Sequence, residues 1–160
     1  MAVRRLHAGI LVRCLRYEEA LKVCNMQGGI GGEDVGGGDM DLTRARALRG
    51  LGRMDEALVK YRAVVMRDPD NSTVKDEFKL VREMGDKLRE AQSMMQGRGW
   101  AAAEESFTEG LALGKGDALS DAYHSLMLCG RGEAREKRGR VDEVRFSMIA
   151  TPSIPQHPEP

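Results

Sequence analysis

Residues Ala45 to Asn71 read ARALRGLGRMDEALVKYRAVVMRDPDN. The apolar positions follow helical spacing on either side of Gly52, which predicts two antiparallel helices joined by a tight turn. With Ala57 as an anchor, the small residue Ala45 stands twelve places earlier, apolar Met54 three earlier and Tyr61 four later. The same relations recur around Ala20 (Ala8, Tyr17, Cys24), around Ala103 (Ala91, Trp100, Phe107) and, more loosely, around Val144 (Gly132, Val141, Met148).

Each position has a physical job. A small residue where two helices cross lets their axes approach closely, and a larger side chain would hold them apart. Gly52 and Gly139 fall at the helix-to-helix turn, where a left-handed backbone costs glycine nothing. In Asp68-Pro69-Asp70-Asn71 the proline removes a backbone donor and ends one helix, and Asp or Asn caps the next. The pattern encodes stacking rather than chemistry.

Successive anchors are 37, 46 and 41 residues apart. The first gap holds a Gly-rich stretch over 28–39, read as an inter-repeat loop. The second holds Ser72 to Gln96, with Val74, Phe78, Val81, Met84, Leu88 and Met95 at helical spacing, which predicts one long helix. A fourth unit begins near Ala118 and runs as a polar helix through Arg138. The end of the chain, 150–160, carries four of the five prolines and is read as a disordered Pro-rich tail.

Composition sets the function classes. At 160 residues and 41% apolar, the chain can build one domain, and ten Met against 4% aromatics point to Ala- and Met-rich helix packing. Its 25 basic and 25 acidic residues are interleaved, so no nucleic-acid footprint stands out. No apolar run is long enough to span a bilayer. Arg4, Arg5 and His7 ahead of Ile10-Leu11-Val12 superficially suit a targeting segment, yet they already fit the first repeat and are read as helix. Cys14, Cys24 and Cys129 are odd in number and lack a CxxC pair, which favours a reducing, cytoplasmic setting.

The offsets match the tetratricopeptide repeat, whose nominal period is about 34 residues. The order of units resembles the repeat region of J-domain co-chaperones of the tetratricopeptide type. That resemblance runs over about residues 5–148, through DPDN, KDEFKLVREMGDKLREAQ, GRGWAAAEESFTEGLAL and SDAYHSLMLCGRGEAREKRGRVDEV. It implies an all-α fold over 1–149, an α-α superhelix of about three and a half helix pairs wound right-handedly. It also implies a co-chaperone adaptor in protein folding, with the acidic tails of seventy- and ninety-kilodalton heat-shock chaperones, or clients, as partners. Such tails would be held on the concave face by charge-assisted hydrogen bonds. The positions the repeat projects there are Arg46, Arg49, Gln92, Met95, Arg131 and Lys137, with Glu133 of the wrong sign.

The chain departs from that family at several places. Gln92 and Gly130 stand where the family has Asn, leaving Arg131 as the clear carry-over. No His-Pro-Asp tripeptide occurs, so the sequence is expected to be a fragment or short form without a J domain. A scaffold in an unrelated multiprotein complex is the alternative.

Other motifs have simpler readings. Gly29-Ile30-Gly31 lacks the Gly-Lys-Ser/Thr of a phosphate loop and reads as linker. His7, His124 and His157 are too dispersed for a metal set, so no metal or cofactor is expected. Cys129 reads as a small packing residue and Trp100 as a wedge between helices, while Met94, Met95 and Met127 suit either a soft peptide-binding stripe or, the commoner role, core filling. No nucleophile, base and oxyanion donors come together, so the chain is read as a non-enzyme.

Overall fold

The computed structural model describes residues 2–25 and 38–139, all of them in helices and turns. The helices are α1 (Ala2–Arg13), α2 (Tyr17–Asn25), α3 (Gly38–Gly50), α4 (Met54–Arg67), α5 (Ser72–Gln96), α6 (Trp100–Gly110) and α7 (Asp121–Lys137), with a 3₁₀ turn at Ala118–Ser120 ahead of α7. Each helix packs on the next in chain order. Most of the Gly-rich loop, Val144 and its partners Val141 and Met148, and the Pro-rich tail lie outside the described residues.

The hairpins share one register. Helices α1, α3, α5 and α7 each end seven residues ahead of an anchor, and α2, α4 and α6 each begin three ahead. At the residue five ahead of each anchor the backbone turns left-handed: Leu15 (φ 59), Gly52 (φ 74), Arg98 (φ 58) and Gly139 (φ 78). Two hydrogen bonds close the turn. In α1 they run from Leu15 N–H to Val12 O (3.1 Å) and from Arg16 N–H to Leu11 O (2.9 Å). The equivalents are Gly52 to Arg49 (2.9 Å) with Arg53 to Leu48 (2.9 Å), and Arg98 to Met95 (3.2 Å) with Gly99 to Met94 (2.9 Å). This is the Schellman arrangement, which satisfies carbonyls that a helix end would leave orphaned. Glycine was expected at two of these turns, and Leu15 and Arg98 occupy the other two.

The crossings are as close as the small residues allow. Ala8, Ala45 and Ala91 are fully buried, as are the anchors Ala20, Ala57 and Ala103, and Gly132 is buried on α7. Tyr61, Phe107, Tyr123, Met84 and Met127 fill the central core. Helix α5 spans the predicted range without a break. Asn71 caps it, its side chain accepting from Val74 N–H at 3.2 Å. Trp100 opens α6 half-buried and sits outside the core clusters.

One relation goes beyond stacking of nearest neighbours. Helix α3 packs against the 3₁₀ turn and α7 as well as against α2 and α4, and Tyr17 donates its hydroxyl to Ala118 O at 3.3 Å. The connector after α6 makes this possible. Left-handed Gly114 (φ 65) and Gly116 (φ 80) fold it inward, and Gly114 lies against the Ser120 side chain, where a β-carbon would collide. A simple array, in which each unit touches only its neighbours, would not join the second unit to the fourth.

Candidate functional site

The first helix, AVRRLHAGILVR, has apolar residues on two sides. One side is buried, Leu11 and Val12 beside Ala20 and Ala47, and Ala8 beside Cys24 and Met40. The other side presents Val3 (80% exposed), Leu6 (67%) and Ile10 (48%), spaced three and four apart along a single stripe. The second stripe lies open.

That stripe forms one wall of a groove of about 990 Å³. Thr43, Arg46 and Arg49 of α3 form the facing wall, and Glu77 of α5 with Asp117 to Leu119 closes its end. The amphipathic register of α3 decides which of its residues face here, since Ala45 and Leu48 turn into the core.

The polar groups of the groove are already engaged with one another. Arg46 makes a two-pronged contact with Glu77, Nη2 to Oε1 at 2.5 Å and Nε to Oε2 at 3.0 Å, and Tyr61 donates to the same carboxylate at 2.8 Å. The hydrogen bond to Glu77 holds the Arg46 guanidinium above its ordinary pKa. Burial, followed by the Glu77 charge, raises that of the Tyr61 phenol. Arg49, only 1% exposed, gives Nη2 to Asp117 at 2.5 Å and to Ser120 Oγ at 2.9 Å. Arg46 and Arg49, both expected to receive a partner's carboxylate, each hold one from their own chain.

The six expected peptide contacts do not converge. Arg46 and Arg49 line the groove. Gln92 is exposed and borders a separate cleft of about 240 Å³ with Arg53, Leu88 and Arg89. Met95 packs against the central core because its position on α5 continues the buried stripe. Arg131 is half-buried, its Nε buried without a hydrogen-bond partner, and burial pushes the guanidinium below its ordinary pKa. Lys137 and Glu133 are exposed on α7. At position 130, where the resemblance expects Asn, a β-carbon would crowd the Phe107 ring, which would have to shift.

Two cysteine readings and one metal reading can be placed. Cys24 is buried, and burial pushes its thiol pKa up. Cys129 is exposed on α7 and so does not serve the packing role expected of it. Among the described residues no three His, Cys, Asp or Glu side chains gather as a metal set, and His124 Nε2 donates to Leu113 O at 2.7 Å. Among them also no helix is long and apolar enough to cross a membrane.

Sequence reasoning missed the open stripe of α1. The signal was present in Val3, Leu6 and Ile10, which share a face separate from Ala8 and Leu11. The Arg49–Asp117 pairing had no such signal, because it depends on how a glycine-bearing connector folds. No family model, curated protein or solved structure matches the chain.

Proposed function

We propose that this chain is a protein-interaction scaffold of the tetratricopeptide-repeat kind, a superhelix of helix pairs whose partner enters the groove between α1 and α3. The observation that carries this reading is the open apolar stripe Val3, Leu6 and Ile10 in a concave groove of about 990 Å³. Concave, mostly apolar surfaces with a few fixed polar groups are where proteins take ligands. The recurring hairpin register and its buried small residues support the repeat assignment.

The resemblance to J-domain co-chaperones supports a cytoplasmic adaptor for heat-shock chaperone tails or clients. A scaffold for a complex without chaperones is favoured by one observation, namely that Arg46 and Arg49 already hold Glu77 and Asp117. The two readings part in a titration with the acidic C-terminal peptides of both chaperone classes at low and high salt. Micromolar binding that weakens with salt and is lost in Arg46→Ala carries the chaperone reading. Absence of binding at millimolar peptide rejects it and leaves the wider scaffold.

A further inference from the structure

We infer that residues 114–120 form a strap that opens and closes one end of the groove, latched shut by Arg49 and pivoting on two glycines. The stem ahead of the strap is fixed, since Leu111 and Leu113 pack against the central core and Leu113 O accepts from His124 Nε2 at 2.7 Å. Beyond Leu113 the chain turns twice through left-handed backbone, at Gly114 (φ 65) and Gly116 (φ 80), before the 3₁₀ turn leads into α7. Glycine crosses between left-handed and extended backbone at little cost, which suits both positions to act as pivots.

Burial does little to hold the strap. Lys115, Gly116 and Ala118 are exposed, and Asp117 and Leu119 are only half-buried. Leu119 is its one large apolar side chain, packed against the cluster of Leu11, Val12, Ala20 and Ala47. The remaining ties are polar. Arg49 Nη2 donates to Asp117 at 2.5 Å and to Ser120 Oγ at 2.9 Å, and the Tyr17 hydroxyl donates to Ala118 O at 3.3 Å. Even closed, the latch is incomplete, because Arg49 Nε is buried without a hydrogen-bond partner. The pairing thus offsets only part of the cost of keeping this cation, 1% exposed, out of water. Segments with few buried apolar contacts open separately from the core around them, at a lower free energy.

Opening has two consequences at the groove. Asp117, Ala118 and Leu119 close its end, so lifting them lengthens it. Lifting them also frees Arg49 of its carboxylate. A group that pairs with Arg49 can therefore bind only the open form, and by that preference it holds the strap open. The gate does not depend on which partner the groove takes.

Native-state hydrogen exchange on the whole chain tests the gate without a ligand. The reporter is the amide of Ser120, a fully buried residue whose N–H donates to Asp117 O at 2.8 Å. The references are the amides of Val81 and Met84 in α5, whose side chains are fully buried in the central core. Ser120 should be protected at least about tenfold less than these, with a shallower dependence on urea, because opening the strap exposes little surface. Asp117→Asn keeps the side-chain oxygen that accepts from Leu119 N–H at 3.0 Å and turns the oxygen facing Arg49 into a donor. It should speed Ser120 exchange at least about tenfold. Gly116→Ala adds a β-carbon that meets nothing within 4 Å, so its effect is confined to the backbone, and it should speed exchange about fivefold.

Equal protection or equal urea slopes for Ser120, Val81 and Met84 would show that the strap parts only when the whole chain unfolds. A Ser120 rate unchanged by Asp117→Asn or by Gly116→Ala would show that the latch or the pivot does not control it. Any of these results overturns the inference, and none of them bears on the scaffold reading.

Discussion

Arg49 and Asp117, 68 residues apart in sequence, form an ion pair of 2.5 Å in which the guanidinium is 1% exposed and the carboxylate 39% exposed. The asymmetry decides what each truncation does. Asp117→Ala leaves a buried charge with Ser120 as its remaining partner, and is expected to destabilise by about 1–3 kcal/mol. Arg49→Met replaces the charge with an apolar chain of similar length and leaves Asp117 partly hydrated, so it should be the milder change. Urea unfolding of both variants and of the double mutant checks the order. Equal losses would show that the carboxylate's residual hydration is immaterial.

The left-handed turns give a second expectation. Arg98 adopts φ 58 with a β-carbon, a conformation that costs about 1 kcal/mol or more relative to glycine. Arg98→Gly should therefore stabilise by roughly 0.5–1 kcal/mol. Gly52→Ala should do the reverse and lose more, about 1–2 kcal/mol, because its β-carbon also stands 3.1 Å from Leu126 Cδ1 and 3.5 Å from Ala122 Cβ. Thermal melts of the two variants should move in opposite directions.

Position 130 supplies a third. A β-carbon there would enter the space of the Phe107 ring, and the ring is nearly buried, leaving little room to yield. Gly130→Asn should destabilise by about 1–3 kcal/mol. Pairing it with Phe107→Leu should recover part of that loss. A Gly130→Asn protein as stable as the parent would refute the close approach of α6 and α7.

Glu104 makes stability depend on pH. Its side chain, 12% exposed, accepts from Arg135 Nε at 2.8 Å and also from Arg138. The Arg135 hydrogen bond, followed by that from Arg138, holds its pKa below the ordinary value of 4.5. A carboxyl depressed in the folded state contributes its full stabilisation above the unfolded pKa. That contribution fades as pH falls from there through the folded value. The urea midpoint should thus drop between about pH 6 and about pH 3, and Glu104→Gln should show a smaller drop from a lower starting point. Identical pH profiles would remove Glu104 as a source.

The sequence disclosed those features that depend on local periodicity. Ala8, Ala45, Ala91 and Gly132 were identifiable as crossing points because a fixed offset ties each to an anchor, and α5 was identifiable because its apolar stripe runs unbroken from Val74 to Met95. Leu15 and Arg98 were not, since nothing in their chemistry announces a left-handed turn; only their distance from Ala20 and Ala103 does. The site was less legible still. Arg46 and Arg49 reach the groove by helical register, but Glu77 and Asp117 engage them through tertiary approach, which no spacing rule encodes. Met95 shows the converse: a position assigned to the groove was claimed by the core.

The link between Tyr17, α3 and the turn before α7 carries a mechanical consequence. Stacked arrays can unzip from either extremity, one layer at a time, since each layer is held only by the next. Here the opening hairpin and the last described helix are fastened to the same central element. Stretching the molecule must break these ties before any intermediate layer yields, so rupture under load should come as one event rather than a staircase.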